Sequence, residues 1–185
     1  MKTKAAEENE SPIAWFGIIS AFLTVINNII ATLALGVFQG PIVAFTTPLA
    51  FCLAKLKYPK WFGATLIYLP LVIVSIFTIN FGPPGPYKIL FLSGAILYDF
   101  VCLITRTGRE KSGRIPLWKL IIATVFYPIG LFAGAYVAIQ WTTVEIPIIS
   151  KALTGAILMV LLFFVVGSFA NYLGHRVFYK WLNDE

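Results

Sequence analysis

Apolar residues in this chain run in long stretches separated by short polar loops. A bilayer core takes about 20 apolar residues per helix, and the chain divides into six such runs. The first extends from Ile13 to Gly36. The second, Pro41 to Ala54, is short. It reads as tilted, partly re-entrant, or prolonged through Lys55 and Lys57 by snorkelling side-chain stems. The third covers Trp61 to Asn80, the fourth Tyr87 to Thr105 and the fifth Pro116 to Gln140. The sixth runs from Ile146 to about Tyr172 and continues past the membrane toward Trp181. Pro59, the Pro83-Pro84-Gly85-Pro86 run, Pro116 and Pro147 punctuate the connections.

Charge adds a direction to this pattern. Twelve of the fourteen Lys and Arg residues fall in the N-terminal tail, two loops and the C-terminal end. On alternate sides of the runs, one side holds Lys2, Lys4, Lys55, Lys57, Lys60, Arg106, Arg109, Lys111, Arg114, Lys119, Arg176 and Lys180. The other holds Lys88 and Lys151. Basic loops stay in the cytoplasm, so the count predicts an even number of spans with both termini inside. Five spans would put the C-terminal basic cluster on the wrong side. Trp61, Trp118, Trp141, Trp181 and Tyr58 fall at span ends, as an interfacial aromatic belt would. The expected fold is an all-α membrane protein, a six-transmembrane-helix bundle. Residues 1–12 form a cytoplasmic tail, 13–182 a single transmembrane domain and 183–185 a C-terminal tail.

Composition agrees. Of 185 residues, 59% are hydrophobic and 12% charged, against about 25% charged in a soluble domain. The net charge of +6 lies beside apolar segments, so anionic headgroups of the lipid bilayer are its expected partner and nucleic acid is not. Glu7, Glu8 and Glu10 make the N-terminus a poor signal-peptide start, and no cleaved signal is expected. Cys52 and Cys102 lie far apart and read as reduced packing residues.

Little here points to catalysis or to a cofactor. The one histidine is His175. No zinc motif, nucleophile elbow or phosphate-binding loop occurs, so no catalytic residue, metal ligand or cofactor is expected. Asp99 is the acid inside a span, and such a group faces a cavity or a partner. It reads either as a coupling residue or as a carboxylate held by helix-end donors or by Arg106 or Arg109. The second reading is favoured because that loop begins about two turns away.

Asn27 and Asn28 sit within the first run. Gly17, Ser20, Ala21, Thr24, Asn28, Ala31 and Thr32 make a small-and-polar stripe suited to helix packing or to a ligand cavity. Gly36/Gly40, Ala50/Ala54 and Gly130/Gly134 have the spacing of close-packing motifs. Toward the lightly charged side, Gln39, Asn80, Tyr87, Lys88, Gln140, Trp141, Thr142, Thr143 and Glu145 could surround a small amphipathic molecule. They could equally be an ordinary interfacial belt.

Three segments resemble the substrate-binding S component of energy-coupling factor (ECF) transporters. Phe16-Gly-Ile-Ile-Ser-Ala-Phe-Leu-Thr-Val-Ile-Asn27-Asn28 is similar to that family's opening helix. Gly82-Pro-Pro-Gly-Pro-Tyr-Lys-Ile-Leu-Phe-Leu-Ser-Gly94-Ala-Ile-Leu-Tyr-Asp99 resembles its Gly-Pro…Gly-x-x-x-x-Asp segment. The run from Gly155 through Gly167, Asn171 and Gly174 to Lys180 resembles its glycine-punctuated last helix and basic tail. The resemblance implies six helices with both ends cytoplasmic and a site for a vitamin-like micronutrient near the external face. It also implies uptake through a transmembrane coupling subunit and two ATPase subunits. In that family small residues spaced by four on an early helix contact the coupling subunit. Here Ala50/Ala54 on the second run and Gly17/Ala21 on the first are the candidates. The cobalt and nickel branch has a His-containing N-terminus, which this chain lacks.

The expected function is therefore substrate capture for a micronutrient importer in the cell membrane, with Gln39, Asn80, Tyr87, Lys88, Gln140, Trp141 and Glu145 as candidate binding residues. The alternative is a non-transporting scaffold subunit of a cell-envelope complex. The importer predicts an outward-opening pocket, and the scaffold predicts a solidly packed bundle.

Overall fold

Prolines and glycines decide where these helices start, bend and touch. The computed structural model describes residues 11–33, 39–77, 85–107, 114–141 and 149–182, and among them every regular element is helical. Helix α1 spans Pro12–Leu33 and α2 Gln39–Lys57; α3 covers Gly63–Phe77. A 3₁₀ segment, Gly85–Phe91, leads directly into α4, Leu92–Ile104. Helix α5 is Leu117–Trp141. Helix α6, Ile149–Leu162, passes through a π-helical segment, Phe163–Gly167, into α7, Ser168–Val177, and a second π segment ends at Leu182. Leu162, Gly167, Ser168 and Phe178 all keep right-handed helical dihedrals, so α6 and α7 form one continuous rod.

Two of the expected boundaries shift. The second run is helical from Gln39 through Lys55 to Lys57, 19 residues, longer than the Pro41–Ala54 core and in line with its prolongation through the two lysines. The fourth opens with a tighter 3₁₀ segment before the α-helix begins. Proline after Gly85 favours such a start, since its missing N–H belongs among the unsatisfied donors of a helix N-terminus.

Successive helices reverse direction. Phe16 of α1 stacks edge-on against Tyr58, just past α2, with ring centroids 5.4 Å apart. Its ring also fills the space beside Gly63 at the start of α3. Lys119 in the first turn of α5 donates to the Arg106 carbonyl just beyond α4, at 3.2 Å. Arg114, ahead of α5, lies over the ring of Tyr179 near the end of the last rod, 5.3 Å from its centroid. The start of α1, the end of α2, the start of α3, the end of α4, the start of α5 and the end of the last rod therefore meet at one basic end.

Close helix contacts occur where side chains vanish. Helix α5 crosses α4 over Gly94, Gly130 and Gly134. A Cβ on Gly130 would come within 2.7 Å of the Ser93 carbonyl oxygen, and one on Gly94 within 2.8 Å of the Tyr127 carbonyl oxygen. The Gly130/Gly134 spacing is thus a real close-packing motif. A Cβ on Gly40, by contrast, would meet Leu162 at an ordinary 3.5 Å, and Gly36 lies outside the described residues.

Pro48 inside α2 leaves the Ala44 carbonyl without its helical donor. Opposite it the last rod widens into its π segment, and Gly167 packs on the Pro48 ring and the Thr124 methyl. The interior is aromatic at its centre: Phe51 and Tyr127 meet edge-on at 5.5 Å between centroids, and Tyr127 and Phe163 pack tilted at 5.2 Å.

The outside of the bundle is apolar over much of its area. Ile18 and Phe22 on α1, Phe100 and Leu103 on α4, and Leu158, Phe164 and Phe169 on the last rod are all exposed. Two helical stretches, Leu117–Val137 and Gly155–Lys180, are long and apolar enough to cross a membrane.

Candidate functional site

The charged interior is concentrated at the basic end, where α2, α3 and α4 converge. Asp99 is buried with 1% of its surface exposed, and Lys55 with 5%. The Lys55 ammonium stands 3.1 Å from Asp99 Oδ1. Asp99 Oδ2 accepts two bonds from Thr65, one from its backbone N–H and one from its hydroxyl, both at 2.8 Å. Lys55 Nζ also donates to the Trp61 carbonyl at 2.6 Å.

Each partner is placed by an ordinary helix property. Thr65 lies in the first turn of α3, where backbone N–H groups lack intrahelical acceptors and favour a negative charge. Lys55 lies in the last turn of α2, and its aliphatic stem lets an otherwise buried cation reach the carboxylate. Helix-end donors do hold Asp99, as expected, but the cation is Lys55 and not Arg106. Arg109 lies outside the described residues. The pattern did contain a hint: α2 and α4 both end at the same side, so a cation near one end can meet an acid near the other.

A hollow of about 610 Å³ opens beside this pair. Lys60, Trp61, Phe62, Leu103 and Arg106 form much of its wall, with Cys102 and Thr107 deeper. Nearby, the last rod grips the entry to α5. His175 Nε2 hydrogen-bonds the Ile115 carbonyl at 2.8 Å, and the Ile115 N–H donates to the Tyr179 hydroxyl at 2.8 Å. Both backbone groups of the residue before Pro116 are thereby satisfied, which fixes where α5 begins. Neither His175 nor Tyr179 figured in the sequence-based expectations as a loop anchor.

At the opposite end most of the expected binding residues lie outside the described ones. Asn80 and Glu145 fall there entirely, as do the side chains of Gln39, Tyr87, Gln140 and Trp141. Lys88 is described and points inward. It is 4% exposed, and its ammonium donates to the Ser75 carbonyl near the end of α3, at 2.8 Å. A cation at a helix C-terminus is favoured by the carbonyl dipoles gathered there.

The small-residue candidates separate. Ala50 and Ala54 are buried in the core, and Ala54 packs against Gly63 of α3. Ala54 closes the contact with α3, and neither alanine is exposed on the outer face of the bundle. Gly17 and Ala21 are exposed on α1, and a Cβ on Gly17 would meet nothing within 4 Å. The polar stripe on α1 is accordingly split, because Ser20 turns into the core while Gly17 and Ala21 turn out. Asn27 is half-buried, and its side-chain oxygen accepts no hydrogen bond among the described residues. The side chain of Asn28 lies outside them.

Deeper in the bundle Asn171 donates to the Thr124 hydroxyl at 2.7 Å, tying α7 to α5. Cys52 and Cys102 are free thiols, both buried. Among the described residues no three His, Cys, Asp or Glu side chains gather as metal ligands would.

Chemically, then, the described site offers an internal ion pair, a hollow with further cations on its wall, and an apolar rim. No protein-family model matches the chain, nor does any curated protein or solved structure match it significantly.

Proposed function

We propose that this chain is the substrate-specific membrane subunit of an ECF-type importer. In this reading it is a multi-pass protein of the cell membrane with both termini in the cytoplasm. It binds a small vitamin-like molecule near the external face, and a transmembrane coupling subunit with two separate ATPase subunits drives uptake. The three segments that resemble the S component support the family assignment, and the sorting of charge to one end supports the orientation.

The observation that carries the reading is the outward face of α1. Gly17 and Ala21 present small side chains there, flanked by Ile18 at 70% and Phe22 at 65% exposure. In lipid, small residues let two helix backbones approach closely, and large neighbours seat around the crossing. A helix from a coupling subunit fits that shape. Asp99 and Asn171 in the interior are engaged in holding helices together. On this reading the ligand is met by the loops of the sparsely basic end.

One observation favours the scaffold alternative. Lys88, the cation nearest the expected ligand, is turned inward onto the Ser75 carbonyl. A scaffold subunit would use it solely to fasten the 3₁₀ segment to α3.

Purification in mild detergent with native mass spectrometry separates the two. The importer predicts a small molecule retained in fixed ratio and co-purification of a coupling subunit. Cell-envelope proteins without a small molecule would establish the scaffold instead. Cysteine labelling at positions 88 and 145 that places them in the cytosol would overturn the orientation and the importer with it.

A further inference from the structure

We propose that the hollow at the basic end binds a phosphate group carried on an amphiphile, the headgroup chemistry of an anionic phospholipid. The inference stands apart from the importer reading, since a scaffold subunit would carry the same site.

The volume is suitable: about 610 Å³ falls within the roughly 300–1,000 Å³ of small-ligand sites. The charge on the wall is positive. Lys55 and Asp99 neutralise one another at 3.1 Å, which leaves Lys60 and Arg106 as the remaining charged groups of the lining. Both are exposed. Neither the Lys60 ammonium nor the Arg106 guanidinium has a hydrogen-bond or ion-pair partner among the described residues.

Arg106 is held in place by its backbone and not by its head. Its φ is +48°, a left-handed conformation uncommon for a residue with a long side chain. Its N–H donates to the Leu103 carbonyl at 3.0 Å, and its own carbonyl accepts from Lys119 at 3.2 Å. With the Thr107 N–H also donating to the Cys102 carbonyl at 2.8 Å, this is the left-handed residue that closes a helix C-terminus. It sets a planar, five-donor guanidinium beside the hollow, with no partner for those donors among the described residues. Arginine in that state matches phosphate oxygens two at a time, and Lys60 adds a point charge.

The remaining wall distinguishes an amphiphile from a bare anion. Trp61, Phe62 and Leu103 line the same hollow and are exposed large apolar groups. An acyl chain would lie along them while the headgroup meets the cations. Basic pockets between helices on the cytoplasmic side of a membrane protein have this composition.

The test uses the full chain purified in neutral detergent and native mass spectrometry titrations. The ligands are short-chain phosphatidylglycerol, short-chain phosphatidylcholine and inorganic phosphate. Phosphatidylglycerol should bind, and Lys60→Gln/Arg106→Gln should weaken it by about thirty-fold, from two lost contacts near the surface. Lys57→Gln/Lys180→Gln removes equal charge from the same end outside the hollow and should leave binding within about two-fold. Inorganic phosphate that binds comparably, and is lost in the first double variant, would uphold the site and make the free anion its source. Equal loss in both double variants would overturn the proposal, as would phosphatidylcholine binding as tightly as phosphatidylglycerol. Unchanged phosphatidylglycerol binding in Lys60→Gln/Arg106→Gln would also overturn it.

Discussion

Replacing Asp99 by Asn keeps an acceptor for Thr65 but removes the charge that Lys55 faces. Two unit charges 3.1 Å apart attract by about 5 kcal/mol at an effective dielectric near 20. Desolvation of the two groups offsets much of this, so the net value of the pair is far smaller. Breaking it is another matter. With a neutral amide in place of the carboxylate, the buried ammonium keeps the Trp61 carbonyl and loses its counter-charge. Such a loss costs about 3–5 kcal/mol. The hollow beside the pair admits water to one side of Lys55, which moves the expectation to about 3 kcal/mol, the lower bound of that range. Lys55→Met should cost a similar amount, because Asp99 would then be a buried carboxylate satisfied by Thr65 alone.

The double variant Lys55→Met/Asp99→Asn carries no buried charge. It should therefore cost only about 1–2 kcal/mol, well below the sum of the single losses. Unfolding of the purified protein by sodium dodecyl sulfate in mixed micelles, followed by tryptophan fluorescence, measures all four corners of the cycle. The expected coupling is at least about 3 kcal/mol. Additivity of the two single effects within about 0.5 kcal/mol would refute the argument. It would mean that Lys55 and Asp99 are each solvated independently and that the pair does not bind α2 to α4.

Three further outcomes follow from the packing. Gly130→Ala should destabilise by about 1–3 kcal/mol through overpacking against the Ser93 carbonyl, whereas Gly155→Ala, with open space around it, should be neutral or stabilising by up to about 1 kcal/mol; the same unfolding titration compares them. Thr124→Val removes the acceptor of the fully buried Asn171 amide, and should cost about 0.6–1.7 kcal/mol, the range of hydrogen bonds between membrane helices; a loss near zero would mean that the amide finds another partner. Gly17→Leu adds bulk at an exposed position of α1 where a Cβ meets nothing within 4 Å, so stability should hold or rise by up to about 1 kcal/mol while co-purification of a coupling subunit is lost; retained co-purification would remove α1 as the docking face.

Helix placement was legible in the sequence because hydropathy and length are local properties. Helices from Pro12, Gly63 and Leu117 begin within two residues of the expected starts. The extension of α2 through Lys55 and Lys57 was among the readings allowed, but apolar content alone could not select it. That choice depends on Lys55 finding Asp99 and the Trp61 carbonyl, neither of which is local. The same limit applies to small residues. Gly17/Ala21 and Ala50/Ala54 carry one spacing, yet the first pair faces out and the second lies in the core, Ala54 against Gly63. Spacing tells which residues share a stripe, and only the neighbouring helices tell which way the stripe faces.

Asp99 shows how far the site itself could be read. A carboxylate buried among apolar residues requires a counter-group, and the nearest cations in sequence are those of the following loop. Proximity along the chain pointed to Arg106, but a helix sets its side chains toward neighbouring rods more readily than toward its own exit. Helix direction would have been the better guide. Antiparallel helices return every second end to the same side, so the last turn of α2, the first turn of α3 and the final turns of α4 must converge. The carboxylate then finds a cation and two donors from different helices, while Arg106 is left at the rim. The pairing that stabilises the fold thus also determines which cations remain for a ligand. Had Asp99 paired with Arg106, the hollow would present Lys55 and Lys60 to its contents, two point charges in place of a planar fork.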